Sequence, residues 1–414
     1  MRLPRIGWRR HSTRVTTALP TPMNTALPRL SPALVVLFAA GAGLSVASLY
    51  YNQPILGAIA HDLGASTRAV GYVPMATQLG YAGGILLSAP LGDRLDRRQV
   101  IVAKGTLLAL ALLLAGISRS VEVLCVASLA IGLLATLAQD FVPAAAALAP
   151  AASRGKTVGS VMTGLLLGIL LSRLVSGTAA DRFGWRAVYF GAAGTIALLT
   201  AFSFARLPRF APSSTESYGM LLRSIAGLVR DVAPLRRAAL AQGLLSVAFS
   251  GFWSTLALVL AEPPFRMGSA VAGAFGIAGA VGALIAPVAG SMADRRGPEL
   301  VLRVSAVLVV ASFGAMAVFP GSLAVLVITT VLFDLGVQAS LIAHQTVVYG
   351  LDPAARSRLN AVLVSSMFFG MSAGAMLASR ALARWGFVGV AVLGVVAASL
   401  ALVVRLWPAR TSRY

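Results

Sequence analysis

Residues 89–98 read Ala-Pro-Leu-Gly-Asp-Arg-Leu-Asp-Arg-Arg, and residues 290–297 read Gly-Ser-Met-Ala-Asp-Arg-Arg-Gly. Each stretch follows a long apolar run, and the two Asp-Arg pairs lie 201 positions apart. Two further matches keep nearly this offset. Arg-Phe-Gly-Trp at 182–185 corresponds to Arg-Trp-Gly-Phe at 384–387, and Pro-Ala-Ala at 150–152 recurs at 353–355. Three matches in the same order indicate that the chain repeats one structural unit.

The composition indicates that this unit lies in a membrane. Hydrophobic residues make up 58% of the 414 positions and charged residues 11%, against roughly 45–50% and about 25% in soluble domains. A helix needs about 20 apolar residues to cross the hydrocarbon core. The sequence therefore predicts an all-α membrane protein with twelve transmembrane helices. The predicted spans are 32–56, 69–91, 100–118, 121–149, 157–180, 186–205, 239–261, 270–291, 300–319, 322–349, 360–383 and 386–406.

The repeat divides the spans into two groups of six. Because six spans return the chain to the side on which it began, the halves are predicted to be parallel repeats about an axis along the membrane normal. We expect a disordered basic tail at 1–30, in which Met23 is a second candidate start. A six-helix bundle at 31–205, a cytoplasmic linker at 206–238, a second bundle at 239–407 and a short tail at 408–414 follow.

The positive charge of the chain follows membrane sidedness. The formal net charge is +21. With a cytoplasmic N-terminus, the seven cytoplasmic segments hold 26 of the 34 Lys and Arg residues and the six opposite loops hold 7. This asymmetry predicts that both termini are cytoplasmic, in a bacterial-type inner membrane. It also explains the basic character without nucleic acid, and the arginines of the first tail are expected to contact anionic lipids.

Motifs for enzymatic chemistry are missing from the sequence. Gly155-Lys156-Thr157 imitates the end of a phosphate-binding loop, but Pro150 stands where the first glycine is required. The only cysteine, Cys125, lies in an apolar run without metal-ligand spacing. We therefore expect no enzyme activity, no cofactor, no metal and no ATP hydrolysis.

Several stretches carry a family resemblance. Residues 89–98 and 290–297 resemble the cytoplasmic signature of the major facilitator superfamily. Tyr-Tyr-Asn-Gln-Pro at 50–54, Gln-Leu-Gly-Tyr at 78–81, residues 164–173 and Gly-Trp-Arg at 184–186 look like its proton-coupled drug and sugar efflux branch. The resemblance covers about residues 30–407, and it implies the twelve-helix fold of that family. The fifth span lacks the Gly-Pro pair of many such antiporters, which leaves uptake open.

The two loop stretches are candidates for a cytoplasmic gate. An acidic residue at a helix end and arginines in a short turn can bond to neighbouring helix ends and form a breakable latch. The alternative is that these are ordinary loop charges of the positive-inside pattern. The residues concerned are Asp93, Arg94, Arg97, Arg98, Gly290, Asp294, Arg295 and Gly297.

Three charged residues stand out well inside predicted spans, and a charge at mid-bilayer costs about 2.5–3.5 kcal/mol even on lenient scales. They are Asp140, Arg173 and Asp334. At 1.5 Å per residue, Asp140 and Arg173 lie at similar depth on consecutive helices. We therefore predict an ion pair or a shared polar cavity between them, with either a proton-coupling or a purely structural role. Asp334 is a candidate for the substrate pocket or a proton relay, or else a hydrogen-bonded structural acid.

Uncharged polar side chains could form a substrate path, although helix-to-helix hydrogen bonding is the simpler explanation for each one taken singly. The candidates are Asn52, Gln53, Gln78, Gln139 and Gln338. Gly164 and Gly168 have the small-xxx-small spacing with which membrane helices pack closely.

These observations predict a secondary transporter, with proton-coupled efflux of a drug-like compound, sugar or metabolite by alternating access as the leading hypothesis. The substrate and protons are the expected partners, together with membrane lipids, and a monomer is the expected form. Uptake or uniport of a small solute on the same scaffold is the second hypothesis. A membrane sensor or scaffold without transport activity is the third.

Overall fold

A computed structural model describes residues 31–88, 91–150, 153–210, 217–283, 291–293, 295–352 and 355–407. Within these ranges the secondary structure is helical, without strands. The α-helices are α1 Pro32–Ala47, α2 Leu56–Asp62, α3 Thr67–Val70, α4 Tyr72–Ser88, α5 Leu91–Arg94, α6 Arg97–Ile117, α7 Val121–Ala135, α8 Leu137–Leu148, α9 Arg154–Phe183, α10 Trp185–Arg206, α11 Tyr218–Asp231, α12 Ala233–Ala261, α13 Ser269–Ala283, α14 Pro298–Val318, α15 Leu323–Tyr349 and α16 Arg356–Leu406.

The helices follow the predicted spans in order. In the part of the chain that is described, eight helical stretches are long and apolar enough to cross a membrane, one of them α7 and α8 together. Predicted spans 1, 2 and 8 correspond to the shorter α1, α4 and α13, and spans 11 and 12 both lie in α16. This arrangement is consistent with twelve spans. The tails at 1–30 and 408–414 lie outside the described residues.

The repeat is visible in the backbone. Gly184 ends α9 with φ of +82°, and Gly386 interrupts α16 with φ of +62°. Both glycines occupy the same place in their halves, at the turn between the fifth and sixth helix of the unit. With ψ of 156° and −161°, they adopt backbone conformations that only glycine enters at low cost. The sequence match at 182–185 and 384–387 therefore reflects a shared turn.

The first span is irregular, which the sequence analysis did not predict. Helix α1 ends at Ala47, residues 48–52 form turns, and a 3₁₀ turn at Gln53–Ile55 leads into α2. Pro54 has no N–H group with which to continue the helical hydrogen bonds. The N–H of the preceding residue, Gln53, donates to Tyr50 O at 3.2 Å, three residues earlier in the chain. The break turns polar side chains of the first span toward the middle of the bundle.

One large apolar cluster lies mainly in the first half and extends to Phe368 and Met371 of α16, and a second cluster lies in the second half. Small residues let the helices approach. In the first half, α1 and α9 pack so closely that a β-carbon at Gly164 would overlap the backbone of Ala39. A β-carbon at Gly168 would overlap the backbone of Gly43. The pair 164 and 168 is therefore a packing surface, as membrane helix contacts use it.

Contacts between the halves concentrate at one end of the bundle. We call this the outer end, and it carries loops 63–66 and 262–268. We call the opposite end the inner end. There α4 packs on the first part of α16, and α9 packs on α13. Ser372 Oγ donates to Met75 O at 3.0 Å across the first of these interfaces. The halves thus meet firmly at the outer end.

The predicted linker contains a helix of its own. Helix α11 buries Ile225 against Leu235, Leu359 and neighbouring apolar residues near the inner end. Helix α12 begins at Ala233 rather than at residue 239. The polar break between the halves is therefore shorter than the sequence indicates.

Candidate functional site

A buried polar cluster lies between the two halves. Arg173 enters from α9, with its Cζ 4.8 Å from the ring centre of Tyr50 and 4.1 Å from that of Trp253. Its Nε donates to Gln53 Oε1 at 2.8 Å. Asp334 completes this central cluster from α15, and it accepts a hydrogen bond from Trp253 Nε1 at 3.2 Å.

Trp253 connects charges that belong to different halves. One face of its indole contacts the guanidinium of Arg173, and its N–H points at the carboxylate of Asp334. Arg173 is 3% exposed and Asp334 4% exposed, so neither charge is well solvated. Cation–π and charge-assisted hydrogen bonds both strengthen when they are desolvated. The indole thus joins the first half to the second at the centre of the protein.

Helix α13 leaves room for this cluster by having no side chain where it passes. A β-carbon added at Gly276 would lie 3.1 Å from Arg173 Cβ, and one at Gly279 would lie 2.9 Å from Asp334 Oδ2. Ordinary β-carbons do not approach so closely without displacing a neighbour. The two glycines are therefore part of the site.

The predicted ion pair between Asp140 and Arg173 is wrong. Asp140 pairs with Lys104 of α6, whose Nζ donates to Asp140 Oδ2 at 2.7 Å. Both side chains are nearly buried, with 11% of the lysine side chain and 9% of the aspartate side chain exposed. Asp140 faces α6, whereas Arg173 faces α12. Lys104 lies only four residues after the start of the predicted third span, 100–118. The sequence analysis therefore counted it among the charges of the cytoplasmic loop.

The remaining polar candidates lie in different surroundings. Asn52 Nδ2 donates to Thr77 Oγ1 at 2.9 Å. Gln78 is fully buried, and its side-chain amide has no hydrogen-bond partner within the described residues. Gln139 is exposed and donates to Tyr81 OH at 3.1 Å. Asn52 adjoins Gln53 of the central cluster, whereas Gln139 belongs to the first half alone.

Gln338 is half-buried one turn beyond Asp334 on α15. Further along the same helix, His344 Nδ1 lies 3.1 Å from Gln242 Oε1 and 3.1 Å from Ser340 Oγ. Gln242 lies on α12, eleven positions before Trp253 and on the same side of that helix. The sequence analysis missed Trp253 and Gln242, because neither a lone tryptophan nor a lone glutamine stands out in an apolar span.

The candidate gate is only partly within the described structure. The side chain of Asp93 and the whole of Gly290 and Asp294 lie outside it. Arg98 Nη2 donates to Phe204 O at 2.6 Å, which ties the loop to the end of α10. Asp96 Oδ1 accepts from the backbone N–H groups of Arg98 and Phe210, each at 2.9 Å.

The other gate residues are placed as follows. Arg94 and Arg295 are exposed at the inner end. Arg97 is half-buried at the start of α6. Gly297 precedes α14 with φ of +82°, where a side chain would be strained. The gating role of these residues stays a prediction.

At the outer end, the loop after α2 is held to α10. Asp62 Oδ2 accepts from Trp185 Nε1 at 3.1 Å and forms an ion pair with Arg186. Arg186 Nη2 also donates to Ser118 O at 3.1 Å. The hydrogen bond from Arg186, followed by that from Trp185, lowers the pKa of Asp62 from its ordinary value. Among the described residues, no group of three His, Cys, Asp or Glu side chains is placed to hold a metal ion.

A polytopic helical bundle built from two repeated halves, with buried charges where the halves meet, is the architecture of a secondary transporter. Residues 38–348 match the family model described as Major Facilitator Superfamily. The chain belongs to this superfamily of membrane transporters, which is not a class of enzymes.

Similar proteins agree with this assignment. The chain is 39% identical over 374 residues to "Uncharacterized transporter YgaY" of Escherichia coli O157:H7, covering 90% of this chain and 94% of that protein. It is 29% identical over 222 residues to "Multidrug resistance protein MdtG" of Citrobacter koseri, covering 51% of this chain and 53% of that protein. The crystal structure of nucleoside transporter NupG has a TM-score of 0.71 at 15% identity, covering 90% of this chain and 97% of that one, and shows the same fold.

Proposed function

We propose that this transporter exports a small molecule in exchange for protons by alternating access. The observation that carries the proposal is the contact of Arg173 with Trp253 and of Trp253 with Asp334, because it joins a cation of one half to an acid of the other. A proton on Asp334 removes the negative charge of this acid. The attraction that holds the halves together at the centre is then weaker, which favours the switch between the outward-facing and inward-facing states.

The substrate would bind beside this cluster. Gln53 contacts Arg173, Asn52 precedes Gln53, and Gln78 follows Thr77, to which Asn52 donates. Each of the three has at least one amide atom without a hydrogen-bond partner in the described structure. Such groups can orient a polar part of a small molecule. Export is supported by the likeness to proteins named for multidrug resistance. The proton gradient, and not ATP, is the proposed driving force.

The positive-inside pattern supports a cytoplasmic position for both termini in the inner membrane of a bacterium. The outer end of the bundle would then face the periplasm, and the structure would correspond to a state closed on that side. A monomer contains both halves and the whole central cluster, so it suffices for the proposed cycle.

Uptake is a second candidate, and one observation favours it. Arg173 Nη2 and Gln53 Nε2 are donors without an acceptor among the described residues. An anionic substrate could accept hydrogen bonds from both donors and neutralise the positive charge of Arg173. This binding would be most favourable while Asp334 carries a proton, because the protonated acid does not neutralise Arg173 itself. Proton and anion would then bind together and move in the same direction, which is the sign of cotransport.

Proteoliposomes with a trapped pH dye and an imposed pH gradient can test these proposals, using a panel of neutral, cationic and anionic compounds. We expect a substrate to dissipate the gradient with the native protein and not with Asp334→Asn. Lys104→Met with Asp140→Leu is the matched control, because it removes a buried acid that lies away from the halves' interface together with its partner, which should be close to neutral for stability. An anion that carries protons with it would favour uptake. Substrate movement without proton flux in every variant would refute proton coupling.

A further inference from the structure

Helix α13 begins at the outer end without a capping side chain of its own. The residue before it is Gly268, and the first turn contains no acidic residue. The first N–H groups of a helix have no partner within the helix, so a side-chain oxygen usually accepts from them. Here that oxygen comes from the other half of the protein.

Asp181, near the end of α9, provides the cap. Its Oδ1 accepts from Ser269 N at 3.1 Å, and its Oδ2 accepts from Ala270 N at 2.9 Å. The carboxylate thus takes both first N–H groups of α13, where the helix dipole also favours a negative charge. A β-carbon at Gly268 would lie 3.0 Å from Asp181 Oδ2, so the glycine leaves room for this contact.

The neighbouring packing explains why Asp181 reaches this position. One turn earlier on α9, Gly177 lies against the backbone of Ser269 and Gly273, and a β-carbon there would be 3.1 Å from Gly273 Cα. This close approach carries the next turn of α9 onto the start of α13. The contact joins the two halves, and it can exist only while the outer end is closed.

We propose that Asp181 is a positioning residue of the transport cycle, which holds the outer end closed by capping α13 across the interface. The proposal rests on alternating access, as proposed above, but it does not depend on the substrate or on proton coupling. When the outer end opens, the cap is lost and the first N–H groups of α13 turn to water. Asp181 therefore sets the population of the closed state.

The effect can be measured as a shift between two distances. Cys125, the only cysteine, is replaced by Ser, and spin labels are placed at His61→Cys and Phe319→Cys, which are exposed on opposite halves at the outer end. Pulsed electron resonance in lipid nanodiscs then reports the open and closed populations. Loss of an N-cap is worth about 0.5–2 kcal/mol, so Asp181→Ala should raise the ratio of open to closed about two- to thirtyfold.

Two further variants separate this role from general destabilisation. Asp62→Asn is the matched control, because Asp62 is an outer-end acid whose partners lie within its own half, and it should leave the distances unchanged. Gly268→Ser gives α13 its own cap, so Asp181→Ala should have a smaller effect in that background. A folded Asp181→Ala with the native distances, or an equal shift in Asp62→Asn, would overturn the proposal, even if transport itself were confirmed.

Discussion

The buried ion pair between Lys104 and Asp140 makes a quantitative prediction about stability. Removing one member leaves the other charge buried without its partner, which costs about 3–5 kcal/mol in such sites. We therefore expect Asp140→Leu and Lys104→Met each to lower the free energy of unfolding by about this amount. Replacing both by apolar residues of similar size, Lys104→Met with Asp140→Leu, should be close to neutral.

The assay is equilibrium unfolding in mixed dodecyl maltoside and SDS micelles, with the four proteins arranged as a double-mutant cycle. Lys156→Met is the matched control, because Lys156 is the only other lysine and is exposed. It should change the free energy of unfolding by less than about 0.5 kcal/mol. If the double variant loses the sum of the two single losses, the side chains do not interact, and the reasoning fails. If the double variant is stable and still transports, the pair is structural.

Further predictions concern packing, pH and backbone conformation. Gly168→Ala should destabilise the protein by about 1–3 kcal/mol through overlap between α9 and α1, whereas Gly191→Ala, which meets no atom within 4 Å, should not; thermal unfolding in detergent compares them. The pKa of Asp62 lies below its ordinary 3.8. Its ion pair with Arg186 therefore stabilises the protein at pH values above 3.8, and this stabilisation is lost as the pH falls through the lowered pKa. The unfolding midpoints of the native protein and Arg186→Gln should converge in acid. Gly386→Ala should cost about 1–3 kcal/mol because its φ is +62°, and an unchanged midpoint would contradict the turn assignment.

The sequence was sufficient to predict the fold because its signals are periodic and repeated. Apolar run length gives the spans, and the matched turns at Gly184 and Gly386 give the halves. The irregular first span was not predicted, although Pro54 was visible, because a proline in a membrane helix can also be accommodated by a kink.

The partners of the buried charges could not be predicted in the same way. Position along a helix gives the depth of a side chain, but its direction around the helix depends on how each helix is rotated in the bundle. For this reason, the predicted depths of Asp140 and Arg173 did not reveal that the two side chains face different neighbours. Trp253 and Asp334 belong to distant segments, so only the packed bundle brings them together.

The pairing of Lys104 with Asp140 also bears on how the protein enters the membrane. The third span leaves the ribosome before the fourth, so Lys104 has no anion to meet when its own helix is first made. A lysine at the centre of a lone span costs about 2.5–3.5 kcal/mol. Lys104 is the eighth residue of Arg97–Ile117, so its cost is at most about this much, and the apolar remainder of the helix must outweigh it. Once α7 and α8 follow, the aspartate neutralises the lysine. We therefore expect the third and fourth spans to insert as a hairpin, in which the lysine and the aspartate neutralise each other only after both helices have been synthesised.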